Sequence, residues 1–157
     1  MFYAIVGSVP VALLLYCPLM TLISFITPWK GFRTSTVRRK NRFYTTLHLS
    51  IYDRVGHLNL RRAARFHRSF LSTLERALHQ NAKTVFFTSH LMRPAHMKTM
   101  TALLKSMEDT HRWHCRDVTI PLHIRNGIRL QIFIQEWRRI TVPKTGVLVV
   151  IRPRKGV

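Results

Sequence analysis

The sequence predicts an α/β (α+β) domain, in the order βαβαβββ, with a mixed sheet and two helices, preceded by a transmembrane helix. Three features predict this fold: an uncharged apolar run at the start, a long amphipathic stretch, and period-two alternation near the end. The chain has 157 residues and is 46% hydrophobic, which suits one modest core. We therefore expect a transmembrane anchor over residues 1–29, a basic juxtamembrane tether over 30–41 and a basic domain over 42–157.

The predicted anchor depends on residues 2–27, which contain no Asp, Glu, Lys, Arg or His. A helix of that length exceeds the ~30 Å hydrocarbon core of a bilayer. No basic residue precedes the run and no small-residue cleavage site follows it, so a retained anchor is favoured over a cleaved signal peptide. Basic residues begin at Lys30, and the positive-inside rule then predicts a single-pass cell-membrane protein with a cytoplasmic C-terminal domain.

The first half of the domain has clear local signals. Residues 42–51 alternate between apolar and polar side chains, which is typical of a strand. Asn59 has the side chain of a helix N-cap, and apolar residues at helical spacing after it predict a helix that runs to about Gln80. Residues 83–89 predict a second strand, and Pro94 predicts a second helix that ends near Arg112.

The second half predicts a hairpin followed by a last strand. Apolar and polar residues alternate on both sides of Asn126 and Gly127, a pair that favours a tight hairpin turn. This pattern predicts paired strands over residues 118–125 and 128–137. Pro143 and Gly146 predict another turn before a final strand over residues 147–151.

Charge points to an anionic partner. The chain has 26 Lys and Arg against 6 Asp and Glu, a net charge of +20, and all of these charged residues lie after residue 29. Arginine predominates, and its planar guanidinium matches phosphate and carboxylate. The residues predicted to bind the anionic partner are Arg38, Arg39, Lys40, Arg42, Arg61, Arg62, Arg65 and Arg68.

Two functions follow from the anchor and the charge. The favoured one is a non-enzymatic interaction or regulatory module at the membrane, whose partner is anionic lipid, an acidic protein or a membrane protein. The alternative is a membrane-tethered protein that binds RNA or DNA, in which the arginines of the first helix grip phosphate and Tyr44 and Tyr52 stack on bases. The sequence alone leaves both open, and it predicts no cofactor.

An enzyme is disfavoured because the chain lacks a phosphate-binding Gly-rich loop, an HExxH pair and a GxSxG elbow. His90, His96 and the cluster of His111, His114 and Cys115 are the residues from which a catalytic or metal site would be built. The cluster alone supplies fewer ligands than a structural zinc site needs. The sequence therefore predicts no catalytic residue and no metal site.

Overall fold

The structure is a computed structural model of the chain. It describes residues 31–154 except 51, 52, 54, 56, 57, 81, 82, 91 and 93, together with residues 15, 16, 18, 19, 22, 23 and 26. From residue 31 onward the described elements are β1 (Phe32–Arg39), β2 (Arg42–Leu49), α1 (Leu60–Gln80), β3 (Val85–Ser89), α2 (Pro94–Ser106), β4 (His111–Thr119), α3 (Leu122–Glu136) and β5 (Thr145–Pro153). The predicted mixed α/β class is confirmed.

The five described strands form one mixed sheet in the order β1-β2-β3-β5-β4. β1 and β2 are antiparallel and turn at Lys40 and Asn41, whose φ values of 47° and 59° are left-handed, as a two-residue hairpin turn requires. α1 carries the chain over to β3, which is parallel to β2. β3 and β4 each pair with β5 in antiparallel fashion, so β1 and β4 are the edges.

The predicted first helix is confirmed, and both α1 and α2 pack on the same face of the sheet. The Asn59 side chain caps α1 by accepting a hydrogen bond from the Arg62 amide at 2.8 Å. The ring of Phe70 meets the rings of Phe32 and Phe87 edge to face, with centroid distances of 5.2 and 5.1 Å. The main core cluster joins residues of α1, α2, β2, β3 and β5, namely Leu47, Phe70, Leu74, Ala77, Leu78, Val85, Phe87, Met100, Leu104, Val149 and Ile151.

The predicted hairpin around Asn126 and Gly127 is wrong, because both residues lie inside α3. Ile124, Ile128 and Ile132 recur every four residues, so the same sequence fits the period of a helix as well as that of a strand. Strand pairing decides between the two. β4 pairs with β5 along its whole length, and α3 is the segment that connects these two strands.

Two other elements differ from the prediction. The second helix ends at Ser106 instead of near Arg112, and β4 begins at His111. Residues assigned to the tether form β1, whose mostly polar sequence gives little apolar alternation and which owes its conformation to pairing with β2. The described order is therefore ββαβαβαβ, with three helices in place of two.

The predicted transmembrane helix and cell-membrane localisation are contradicted. Within the described residues, no helix is both long enough and apolar enough to cross a bilayer. The 21-residue α1 is long enough but carries arginines along its exposed side, and α2 and α3, with 13 and 15 residues, are too short. Most of residues 2–27 lie outside the described part of the chain.

Candidate functional site

Within the described residues, α1 and α2 cover one face of the sheet, and we call the opposite side the open face. Along each strand, the residues of the open face alternate with buried residues of the covered face, such as Leu47, Val85 and Val149. The described residues of the open face on which the site is built are all half-buried or exposed: Arg33, Ser35, Val37, Arg42, Tyr44, Thr46, His48, Phe86, Thr88, Arg112, His114, Arg116, Leu148, Val150 and Arg152.

Two aromatic rings lie near the centre of the open face. Tyr44 on β2 and Phe86 on β3 meet edge to face, with centroids 5.8 Å apart and ring planes at 82°. The parallel register of β2 and β3 places Thr46 beside Phe86, which makes Tyr44 its diagonal neighbour. Both aromatic residues are half-buried, so part of each ring contacts solvent.

The strand registers show which residues lie between this ring pair and the edge strand β4. Phe86 lies beside Val150, and Val150 lies opposite His114 on the edge strand. Since neighbouring strands are about 4.8 Å apart, the backbone at His114 is about 10 Å from that at Phe86. Thr46, Phe86, Val150 and His114 thus form one row across the sheet.

Basic side chains border the aromatic pair. Arg112, His114 and Arg116 occupy alternate positions of β4, about 6.6 Å apart along the strand, and all three are exposed. Arg152 on β5 lies directly opposite Arg112. Asp117 is the only acid in the five described strands, and it lies on the covered face. The open face therefore has an aromatic centre and a basic border without a carboxylate among its strand residues.

The eight predicted anion-binding residues fall into two groups. Arg38, Lys40 and Arg42 are exposed at the β1–β2 turn, while Arg39 is in β1 and its side chain lies outside the described part. Arg38 donates a hydrogen bond to Asn41 Oδ1 at 3.1 Å. Of the side chains described in this group, Arg42 lies on the open face, two residues before the Tyr44 ring.

The second group, Arg61, Arg62, Arg65 and Arg68, is exposed on α1, at the other end of the sheet. Ser69, which follows this group, accepts a hydrogen bond from the Phe32 amide at 2.9 Å, and Phe32 is at the end of β1 away from the turn. β1 has eight residues and is thus about 26 Å long. The two predicted groups therefore do not form one site.

Sequence reasoning missed Phe86, Arg112, Arg116 and Arg152 as site residues. The available signal was a basic residue at every second position, Arg112, His114 and Arg116, because a strand brings three such side chains to one side. The predicted second helix extends to about Arg112, so the alternation that begins there is not assigned to a strand.

The structure divides the cluster considered for metal binding. Because side chains alternate along β4, His111 and Cys115 lie on the covered face and His114 lies on the open face. Among the described residues there is no group of three or more His, Cys, Asp or Glu side chains placed to hold a metal ion. Burial, together with the Asp117 carboxylate, raises the pKa of the Cys115 thiol and disfavours its nucleophilic thiolate.

A second pair of histidines joins α1 to α2. The rings of His67 and His96 stack with centroids 4.5 Å apart, and Thr99 Oγ1 is 2.7 Å from His67 Nε2. Burial, followed by the charge of His96, lowers the pKa of His67. Burial likewise lowers the pKa of His90, while burial and His79 lower that of His111. These three side chains thus favour the neutral form.

The fold and its surfaces define a mixed α/β domain whose five-stranded sheet is covered on one side and presents an aromatic, basic face on the other. Comparisons with models of protein families, with curated proteins and with solved structures find no match to this chain. The open face is accordingly the strongest guide to function.

Proposed function

We propose that this protein binds single-stranded nucleic acid on the open face of its sheet. The observation that supports the proposal is the half-buried ring pair of Tyr44 and Phe86 inside a basic border. Unpaired bases stack on aromatic side chains whatever their sequence, and each stack is worth about 1–3 kcal/mol. Arginine side chains donate paired hydrogen bonds to phosphate oxygens.

The shape of the open face favours single strands over duplexes. Five strands about 4.8 Å apart make a broad surface, and the two rings lie among its inner strands. Stacking requires bases whose faces are free, whereas a duplex presents only base edges in its grooves. Arg112, His114 and Arg116 would then contact successive phosphates of an extended strand while its bases lie over Tyr44 and Phe86.

The arginines of α1 are a second surface that could attract anions. Arg61, Arg62, Arg65 and Arg68 are exposed there, and they would attract an acidic protein or a nucleic acid through charge alone. The open face combines charge with a ring pair, and we therefore favour it. Directed substitutions separate the two surfaces.

The first test measures fluorescence anisotropy of labelled 12-nucleotide RNA and DNA strands at low salt. Tyr44→Ala and Phe86→Ala are each expected to weaken binding about fivefold or more, the loss of one stacked base. Phe43→Ala is the matched control, because Phe43 is 55% exposed but lies on the opposite side of β2. An unlabelled duplex should compete much less well than an unlabelled single strand.

The second test compares two double charge reversals of equal size. Arg112→Glu with Arg116→Glu should weaken binding far more than Arg61→Glu with Arg65→Glu, and circular dichroism should show that both proteins fold. A larger effect on α1 would contradict the open face as the site. Failure of the unaltered protein to bind any oligonucleotide at low salt, while an acidic peptide binds, would replace the proposal with a protein-binding surface.

A further inference from the structure

A cleft of about 270 Å³ lies between β1 and α1, at the edge of the sheet. Hydrogen bonds between α1 and β1 hold the two walls of the cleft together. Thr73 Oγ1 donates to the Phe32 carbonyl at 3.2 Å, and Ser69 Oγ accepts from the Phe32 amide at 2.9 Å. The edge-to-face contact of Phe32 with Phe70 fixes the same junction from the core side. The cleft is thus bounded by two packed elements.

The lining of the cleft suits a phosphate group. It consists of Phe32, Arg33, Thr34, Thr73, Arg76, Ala77 and Gln80. Arg76, Thr34 and Gln80 supply side-chain hydrogen-bond donors, while the Thr73 hydroxyl already donates to Phe32. Among the described residues that line the cleft, none carries a carboxylate. The apolar side chains of Phe32 and Ala77 offer a surface for a sugar attached to the phosphate.

Arg33 connects the cleft with the open face. It pairs in register with His48 on β2. Extending the β2–β3 register by two residues beyond Thr46 and Phe86 places Thr88 next in this row, which continues through Leu148 to Arg116 on β4. That row crosses four inter-strand spaces and is about 19 Å long. A strand that begins at the basic border of β4 and follows this row reaches the cleft at the opposite edge.

We propose that the cleft binds a phosphate monoester at the end of the nucleic-acid strand. This inference rests on the proposed function. A terminal monoester carries a charge of about −1.5 to −2 at pH 7, whereas each internal diester carries about −1. The arginines of the cleft therefore bind a phosphorylated end more tightly than an internal phosphate or a terminal hydroxyl.

The experiment uses the full chain and three labelled strands of one sequence: with two hydroxyl ends, with a 5′-phosphate and with a 3′-phosphate. One phosphorylated strand should bind about tenfold more tightly than the hydroxyl strand, the effect of one charge-assisted hydrogen bond. Arg76→Ala should abolish that gain and leave affinity for the hydroxyl strand within about twofold. Lys105→Ala, which removes an exposed charge from α2, should preserve the gain.

The outcomes separate this inference from the function on which it rests. Equal affinity for all three strands, with binding retained, would overturn the cleft proposal and leave the open face intact. Absence of binding by any strand would overturn the proposed function. Binding of a free nucleoside monophosphate as tight as that of the phosphorylated strand, and equally sensitive to Arg76→Ala, would make the cleft a nucleotide site and overturn its role at strand ends.

Discussion

Arg112 on β4 and Arg152 on β5 lie directly opposite each other on antiparallel strands, and both are exposed on the open face. Like charges in this arrangement repel and destabilise a sheet by a few tenths to about 1 kcal/mol. An anion between the two guanidinium groups removes the repulsion. The pair therefore lowers the stability of the protein, and the phosphate of the proposed nucleic-acid strand would offset this loss.

Replacing Arg152 should improve stability and impair binding. We expect Arg152→Thr to raise the free energy of unfolding by up to about 1 kcal/mol, because it relieves the repulsion with Arg112. The same change should weaken binding to a single strand and reduce the slope of log affinity against log salt by about 0.7. Urea unfolding and anisotropy at several salt concentrations measure the two effects. Arg154→Thr, just past the strand, is the control, and unchanged binding by Arg152→Thr would argue against a phosphate at this pair.

Phe86 should contribute to the affinity for a single strand by stacking on a base and not by attracting phosphate. Phe86→Leu keeps an apolar side chain of similar size, so the free energy of unfolding should change by less than about 1.5 kcal/mol. Affinity for a single strand should fall about fivefold or more, because leucine offers no ring to a base. The slope of log affinity against log salt should stay the same. A reduced slope would show that the variant disturbs the basic border instead.

The stability of the protein should fall as the solution becomes acidic. The pKa values of His67, His90 and His111 all lie below the ordinary 6.5, so the unfolded chain binds protons at a higher pH than the folded chain. The free energy of unfolding is therefore highest above pH 6.5 and decreases as the pH falls below that value. Urea unfolding at pH 7.5, 6.5 and 5.5 measures the decrease.

His96→Gln is the variant that isolates the stacked pair. Removing the imidazole of His96 removes the charge that lowers the pKa of His67, although burial of His67 continues to lower it. The dependence of stability on pH should become shallower than in the unaltered protein. A steeper dependence, or stability that increases toward pH 5.5, would contradict this origin for the shift.

Gly127→Ala distinguishes the helix from the hairpin that the sequence predicts. In α3, a Cβ on Gly127 meets no atom within 4 Å, and alanine is favoured over glycine in a helix by about 1 kcal/mol. The substitution should therefore raise the free energy of unfolding by about that amount. In a tight hairpin turn the same change would destabilise the protein, because glycine there adopts a positive φ. The sign of the change in a urea titration decides between the two.

The sequence determined the elements whose local pattern allows one conformation. Asn59 and the apolar spacing after it predict α1, while alternation predicts β2 and the short apolar runs predict β3 and β5. The excess of Lys and Arg predicts an anionic partner, and that remains a prediction. Of the predicted binding residues, Arg42 has a described side chain beside the aromatic pair, because alternation along one strand is local information.

The tertiary structure alone decided the conformation of α3 and the positions of the site residues, because both depend on contacts between residues distant in the sequence. The sequence of α3 fits both a helix and a hairpin, and the pairing of β4 with β5 resolved it. The parallel register of β2 and β3 brings Tyr44 and Phe86 together, and the antiparallel register of β4 and β5 brings Arg112 opposite Arg152. Strand registers depend on how the whole core packs, and no local period in the chain specifies them.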